Sequence, residues 1–328
     1  MTALARGIGS RLGQAIGLLL AVVVVVFFLI QIAPGDAALY LAGDQGVGDA
    51  EFLAQVRADY GLDRPLLVQL GTYVGNVAQL DLGDSIYFNE PVLGLIVERL
   101  FATVLLAGTS LLFAVGLGVA IGVYTARRPE SSMSSAATVS SLVGFSTPVF
   151  YSAIMFIVLF AAKWKLLPVG GIEDVRYEGN WVGETIDLLQ HLILPALSLG
   201  IIYLAIYSRL ARASMLEVLE SDYIRTARAK GARERVVVYK HALRNAVIPV
   251  VTAAGLQVGN LLSGALLVEV VFAWPGVGRL AVDSIFRRDS PTLLGIMIFS
   301  SAMVILANLL TDLVYRIIDP RIRVGGSR

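Results

Sequence analysis

The chain has 328 residues, of which 56% are hydrophobic and only 16% are charged, and its mean hydropathy is +0.75. Soluble domains usually carry about 25% charged residues, so this composition excludes a soluble globular protein and predicts an all-α protein that crosses a membrane several times. The net charge of +1 gives no basis for nucleic-acid binding, and the lack of cysteine excludes disulfides and thiolate metal sites.

Six stretches of more than 20 residues contain no Asp, Glu, Lys or Arg, and each is long enough to cross a hydrocarbon core of about 30 Å as a helix. In chain order they are Leu12–Gly35, Leu100–Ala126, Ser131–Ala162, Leu188–Ser208, Asn245–Val268 and Ser290–Thr311. We therefore predict six transmembrane helices. The first stretch has one alternative, a cleaved signal peptide, but it is longer than a typical signal core and no clear cleavage site follows it.

The basic residues are unevenly distributed between the two ends of these spans. One face collects 17 of the 26 Lys and Arg residues, including nine between Arg209 and Arg244. By the positive-inside rule this face is cytoplasmic, so we expect both termini of a multi-pass protein in the cytoplasm.

The spans and their orientation predict the organisation of the chain. Residues 1–35 form the N-terminus and first span, 36–99 an external segment, 100–311 a core of five spans with a cytoplasmic loop at 209–244, and 312–328 a cytoplasmic tail. In the external segment we expect short helices at Ala50–Tyr60 and, with an amphipathic pattern, at Pro65–Leu80.

The sequence lacks the patterns typical of an enzyme. There is no G-x-x-x-x-G-K-[ST] phosphate-binding motif, no H-E-x-x-H and no G-x-S-x-G, and His191 and His241 are predicted at opposite membrane faces. The cores of the six spans hold no ionisable residue, because Glu269 and Asp312 lie at span ends. We therefore expect no catalytic residue, no metal site and no cofactor.

The cytoplasmic loop has a helix–glycine–helix pattern. Ser221 or Asp222 can cap a helix that runs to Lys230, Gly231 permits a left-handed turn, and a second helix can follow. We call this helix–glycine–helix segment, with Gly231 at its turn, the elbow. Its small residues allow it to be inserted into a groove on a partner protein. The loop can equally be a solvated basic segment that only sets the topology, and the residues alone do not separate these interpretations.

The loop residues Thr226–Gly231, followed by His241–Asn245 and Pro249, resemble the ATPase-contacting loop of ABC importer permeases, and more narrowly that of the B-type permease subunit of the dipeptide/oligopeptide/nickel family. Other segments along the whole chain are similar to this family in the same order: Pro34–Asp36, Gly61–Pro65, Asp81–Gly83, Glu98–Leu100, Ala102-Thr103, Leu167–Val169, Phe272–Gly276, Gly278-Arg279 and Asp319–Arg323.

The chain departs from the family patterns in three places. Arg225–Ala227 stands where the general importer loop has Glu-Ala-Ala, Arg244 stands where that loop has proline, and Phe101 replaces a usual proline. We expect Phe101 to straighten the entry to the second span.

The resemblance implies the type I ABC importer permease architecture, a peptide importer, and a location in the bacterial cytoplasmic (inner) membrane. Its implied partners are a homologous second permease, two ABC ATPases and an external substrate-binding protein, and its implied ATPase-coupling residues are Arg225, Ala227, Lys230, Gly231 and Ala232. The cargo stays open among dipeptides, longer peptides, nickel chelates, haem and glutathione. A self-sufficient secondary transporter or channel is the alternative class, because unwound backbone within a span can bind sodium.

Polar or helix-bending residues within the spans are candidates for the translocation path: Ser146, Pro148, Gln257 and Asn260. For Gln257 and Asn260, the alternative role is hydrogen bonding between helices. We expect Trp181 and Trp274 to be interfacial anchors. Glu269 and Asp283 flank a predicted external loop, where we expect them to be solvated or, alternatively, to contact the binding protein.

Overall fold

The computed structural model describes residues 2–32, 50–59, 63–174 and 179–318. Within these ranges the chain is helical and has no β-strand, apart from an isolated bridge between Asp84 and Pro91. The helices are α1 (Thr2–Ile32), α2 (Ala50–Asp59), α3 (Leu66–Ala78), α4 (Val92–Arg127), α5 (Ser132–Ser146), α6 (Val149–Phe156), α7 (Trp181–Leu219), α8 (Asp222–Ala229), α9 (Glu234–Val236), α10 (Leu243–Ala246), α11 (Ile248–Gly264), α12 (Leu266–Val271), α13 (Val277–Phe286) and α14 (Ser290–Ile318). Two π-helical segments, Ile157–Lys163 and Val237–Ala242, continue α6 and α9. The predicted all-α class is confirmed.

Four of the described helices, α1, α4, α7 and α14, are long and apolar enough to cross a membrane. The pair formed by α5 and α6 passes the same test together. The predicted span at Asn245–Val268 corresponds to the shorter helices α11 and α12, which are separated at Ala265. The count of six spans therefore stays a prediction, while the multi-pass helical architecture does not depend on it.

The third predicted span is bent by 106° between Ser146 and Val149. Its cause is local. Pro148 cannot donate a backbone hydrogen bond, and it disfavours the helical conformation at the residue before it. Thr147 is accordingly extended, with φ −85° and ψ 125°, and Pro148 occupies the position before the first residue of α6. The bend expected at these residues is thus present.

The chain divides into two compact units. The first comprises residues 1–101 and 276–328, and the second comprises 102–275. In the first unit, α1 packs on α14 through Val23 and Val26, which meet Leu294 and Ile298. The short helices expected at Ala50–Tyr60 and Pro65–Leu80 are present as α2 and α3.

Asp289 joins two parts of the first unit. Its buried carboxylate accepts hydrogen bonds from the hydroxyl groups of Ser85 and Thr292. Thr292 lies in the first turn of α14, where a carboxylate is favoured by the exposed N–H groups and the helix dipole. One carboxylate thereby ties the segment around Ser85 to the start of α14.

In the second unit, α4 and α7 cross at very short range. A Cβ built on Gly122 would lie 2.5 Å from the Cβ of Ala211, and one built on Gly118 would lie 2.9 Å from the Cβ of Tyr207. Real Cβ atoms essentially never approach that closely, so the crossing requires glycine at both positions. Small residues four apart allow membrane helices to pack this closely. Helices α4 and α7 are thus in close backbone contact at this crossing.

Helix α4 runs without interruption past Phe101.

Candidate functional site

The helix–glycine–helix elbow of the loop at 209–244 has the local structure that the sequence predicts. Helix α8 ends at Ala229, and Gly231 adopts φ +78°, the left-handed conformation. The N–H of Gly231 donates to the oxygen of Arg228 at 2.9 Å, and the N–H of Ala232 donates to the oxygen of Ala227 at 3.2 Å. These two bonds form a Schellman motif, which satisfies the last carbonyl groups of α8 and reverses the chain.

Ser221 joins α7 to α8 in a way that differs from simple capping. It occupies the position before the first residue of α8, Asp222, but its side chain makes no capping bond to that helix. Its hydroxyl instead donates to the oxygen of Val218 at 2.6 Å, within the last turn of α7. The residue therefore secures the corner between the two helices.

The inner side of the elbow is buried in an apolar cluster, which we name the elbow cluster. Its members from the loop include Ile224, Val237 and Val238, each with 0% of its surface exposed. They pack in one cluster with residues near the ends of two spanning helices, Ala126 of α4 and Met215 of α7. The elbow is therefore attached through buried side chains to both helices of the tight crossing.

The outer side of the elbow is open. Arg225, Lys230 and Gly231 are exposed, whereas Ala227 and Ala232 are half-buried at the edge of the elbow cluster. A Cβ built on Gly231 would meet no described atom within 4 Å. Within this chain, glycine is thus favoured at position 231 by its backbone conformation and not by lack of space.

Two ion pairs lie on the outer side. Arg225 approaches Asp222 of its own helix, with Nη1 3.3 Å from Oδ1. Arg228 bridges the elbow, donating from Nη2 and Nε to the two carboxylate oxygens of Glu234 at 3.0 and 3.3 Å. The hydrogen bonds from Arg228 lower the pKa of Glu234, and the positive charge of Arg127 lowers it further. The same hydrogen bonds raise the pKa of Arg228.

The sequence analysis did not single out the Arg228–Glu234 pair. Its signal is a basic and an acidic residue placed three positions before and three positions after the turning glycine. When Gly231 reverses the chain, this symmetry brings the two side chains together. The pair links the two sides of the turn on the outer face of the elbow, while the elbow cluster packs against its inner face.

The candidate path residues lie on two parts of the chain, the bend between α5 and α6 and helix α11. Ser146 and Pro148 are exposed at the bend between α5 and α6, and Gln257 is half-buried in α11. Asn260 lies in α11, and its side chain is outside what the structure describes. Their role in a path stays a prediction.

The expectations for Trp274 and Glu269 are wrong. Trp274 is fully buried, and its Nε1 donates to the backbone oxygen of Ala102 at 2.8 Å. Glu269 is also fully buried, and it accepts a hydrogen bond of 2.7 Å from the hydroxyl of Thr103. Ala273 has φ +51°, and this turn directs the chain so that the indole enters the core.

These contacts join two of the segments that carried the family resemblance. Ala102-Thr103 meets the segment from Glu269 to Trp274, and the N–H of Gly171, just after the Leu167–Val169 segment, donates to the oxygen of Phe272 at 2.8 Å. We name this arrangement the tryptophan junction. Its hydrogen bonds connect the start of the second unit to residues near its end.

Two regions of the chain match known protein families. Residues 118–324 match the family described as the binding-protein-dependent transport system inner membrane component, and residues 4–107 match the N-terminal region of such membrane components. The chain is 41% identical over 330 residues to the dipeptide transport system permease protein DppB of Escherichia coli (strain K12), with coverage of 95% of this chain and 97% of that protein.

Two further relatives have similar coverage. The chain is 40% identical over 327 residues to the dipeptide transport system permease protein DppB of Alkalihalophilus pseudofirmus, covering 95% of this chain and 98% of that protein. It is 38% identical over 310 residues to the oligopeptide transport system permease protein AppB of Bacillus subtilis (strain 168), covering 94% and 96%.

A solved structure shares the fold. It is a chain of the MetNI methionine ABC transporter in inward-facing conformations, with a TM-score of 0.53 and 18% sequence identity. The match covers 69% of this chain and 96% of that chain. At this level of identity, the similarity concerns the fold alone.

Proposed function

The chain belongs to the family of binding-protein-dependent transport system inner membrane components, and we propose that it is the permease subunit of an ATP-driven importer that carries peptides across the bacterial inner membrane. The cargo is proposed from the relatives, which are named for the transport of dipeptides and oligopeptides. Nickel chelates, haem and glutathione are the alternative cargoes within the resemblance.

One observation carries the proposed mechanism: the elbow is exposed on its outer side and anchored on its inner side. Gly231 and Arg225 are available to a partner, whereas Ile224 is fully buried in the elbow cluster with Ala126 and Met215. A force applied to the outer side would therefore act on α4 and α7. A solvated loop that only sets topology has no need of this buried attachment.

In the proposed mechanism, two cytoplasmic ATPase subunits bind the elbow and close on binding ATP. Their movement displaces the elbow cluster together with the ends of α4 and α7. Since these helices are in direct contact at Gly118 and Gly122, they move as one element. The displacement converts the pore, formed with a homologous second permease, from inward-facing to outward-facing. An external binding protein then delivers the peptide.

Reconstitution into proteoliposomes tests this function. The chain, the second permease, the two ATPases and the binding protein should together accumulate a radiolabelled dipeptide when ATP is supplied. Omitting the ATPases should abolish uptake, and the chain alone should neither bind nor hydrolyse ATP, since it has no phosphate-binding loop motif.

The same preparation tests the alternative of a secondary transporter. A proton or sodium gradient is imposed on liposomes that contain this chain without ATPases. Uptake driven by the gradient would contradict the proposed function. Competition of the labelled dipeptide by longer peptides, a nickel chelate, haem or glutathione in the complete system identifies the cargo class.

A further inference from the structure

A cavity of about 350 Å³ lies in the second unit between α4, α5 and α7. Two of its lining residues are Arg209 and Arg212, which lie three positions apart and therefore on neighbouring positions of one face of α7. Its described lining contains no aspartate or glutamate. The cavity therefore has a net positive charge.

Both guanidinium groups are held in place by neutral acceptors. Arg212 donates from Nη1 to the hydroxyl of Thr138 at 3.0 Å, and Arg209 donates from Nε to the oxygen of Ala205 at 3.3 Å. The Arg209 guanidinium also lies over the ring of Phe145, 5.4 Å from its centroid. A guanidinium has five N–H donors, so both side chains keep donor capacity for an anion.

Hydroxyl groups form the remaining polar wall of the cavity. Ser141 of α5 and Ser208 of α7 have their oxygens 3.3 Å apart, and Thr125 of α4 also lines the space. Charge-assisted hydrogen bonds from arginine are especially suited to phosphate, because the planar guanidinium donates two parallel bonds. The cavity thus has the chemistry of a phosphate site.

An apolar surface lies beside this basic cavity. Val139 and Val143 of α5 are 59% and 61% exposed, and Phe145 of the same helix is 50% exposed. By the predicted topology, Arg209 marks the cytoplasmic end of its span. The cytoplasmic leaflet contains anionic lipids, and basic pockets between helices on this side bind their headgroups.

We propose that the cavity between α4, α5 and α7 binds the phosphate group of an anionic phospholipid, whose acyl chains lie along the exposed apolar face of α5. The phosphate lies between Arg209 and Arg212. This ligand supplies both a negative charge for the cavity and hydrocarbon for Val139 and Val143. The proposal does not rest on the transport function, since it concerns only lipid held by this chain.

Native mass spectrometry of the purified full-length chain in detergent tests the proposal. Phosphatidylglycerol should remain bound to the wild-type chain under conditions that remove phosphatidylcholine. The double variant Arg209→Gln/Arg212→Gln should retain phosphatidylglycerol at least about tenfold less well, because hydrogen bonds to a charged group are lost. The matched double variant Arg128→Gln/Arg235→Gln removes two exposed charges outside the cavity and should retain the lipid as the wild type does.

A third variant, Arg209→Lys/Arg212→Lys, keeps both charges and should restore a large part of the retention. If the glutamine variant fails to fold, the comparison of the two lipids on the wild type and the lysine variant still decides. Equal retention of phosphatidylglycerol and phosphatidylcholine by the wild type overturns the proposal, as does equal loss in the Arg128/Arg235 control.

Two other outcomes identify a different occupant. Inorganic phosphate alone is added during thermal unfolding of the delipidated chain. If it raises the unfolding midpoint of the wild type but not of the glutamine variant, and phosphatidylglycerol has no further effect, the occupant is free phosphate and the lipid is excluded. If the glutamine variant retains lipid normally but no longer copurifies with the second permease, the cavity is a subunit contact and the proposal is wrong.

Discussion

The indole of Trp274 donates its hydrogen bond to the backbone oxygen of Ala102, a residue 172 positions earlier in the chain. Beside it, the hydroxyl of Thr103 donates to the fully buried carboxylate of Glu269. Two adjacent residues at the start of the second unit, Ala102 and Thr103, are thus hydrogen-bonded to two residues near its end. The tryptophan junction therefore connects the two ends of this unit.

The first prediction concerns this junction. Replacing Trp274 by Phe removes the hydrogen bond to Ala102 and part of a fully buried side chain, so the free energy of unfolding should fall by about 1–3 kcal/mol. Thermal unfolding of the purified chain in detergent measures the loss. Trp181→Phe is the control, because Trp181 is 76% exposed and its replacement should change stability by no more than about 0.5 kcal/mol. Equal effects of the two substitutions would contradict the role of the junction.

The second prediction concerns the crossing of α4 and α7. Gly122→Ala places a methyl group against Ala211 and the backbone of α7, so the helices must separate, at a cost of about 1–3 kcal/mol. Gly116→Ala is a matched control on the same helix, because a Cβ at Gly116 meets nothing within 4 Å. The control should be neutral or stabilising by up to about 1 kcal/mol, since alanine is the better helix former. Unfolding midpoints that fall equally in both variants would exclude a specific requirement at Gly122.

The elbow could be predicted from the sequence because its determinants are local. Gly231 follows directly after a helix-forming segment, and a turn at that point needs a residue that tolerates positive φ. The bend at Pro148 is local in the same sense, since proline constrains both itself and Thr147. The rest of the elbow, including its attachment through Ile224, depends on residues of α4 and α7 that the loop sequence does not reveal.

The tryptophan junction could not be predicted in this way. Trp274 and Glu269 lie near the end of a charge-free stretch, where tryptophan is usually interfacial and a carboxylate is usually solvated. Their burial is decided by Ala102 and Thr103, which come from a distant part of the sequence. In contrast, the crossing of α4 and α7 left a readable signal that the sequence analysis missed. Gly118 and Gly122 are spaced four residues apart within the second predicted span.

The third prediction concerns the pH dependence of the elbow. Since the pKa of Glu234 is lowered by its hydrogen bonds to Arg228, the pair stabilises the elbow above the ordinary carboxyl pKa of about 4.3. This stabilisation is lost as the pH falls through the lowered pKa. Both side chains are about half exposed, so solvent screens the pair and its contribution should stay below about 1 kcal/mol.

Amide hydrogen exchange at Gly231 and Ala232 measures this effect, after correction for the intrinsic pH dependence of exchange. Protection in the wild type should fall by up to about fivefold from neutral pH to below the carboxyl range. Glu234→Gln should show the lower protection at every pH. Glu217→Gln, which changes an exposed carboxylate of α7, should behave as the wild type does. A pH dependence that persists in Glu234→Gln would assign the titration to another group.

The fourth prediction concerns the coupling role of Gly231. A β-branched residue at φ +78° faces a penalty of about 1–2 kcal/mol, and its bulk would lie on the exposed side of the elbow. Gly231→Val should therefore abolish ATP-dependent uptake in the reconstituted importer while membrane insertion and delivery by the binding protein remain intact. Gly231→Ala should have a milder effect, because it adds a single methyl group where this chain itself leaves space.

Two further variants separate backbone strain from contact with a partner. Asparagine tolerates positive φ, so Gly231→Asn keeps the turn and adds bulk only on the outer side; a loss of uptake in this variant would identify the ATPase groove as the site of the clash. Gly171 has φ +90° and lies between the third and fourth predicted spans, and a Cβ built on it would meet the backbone oxygen of Glu173 at an ordinary contact distance of 3.7 Å. Gly171→Val introduces the same kind of strain away from the elbow, and ATP-driven uptake should respond to it less than to Gly231→Val. If Gly231→Val transports normally with the ATPases still bound, the elbow is not the coupling element, and the basic loop acts only in setting the topology.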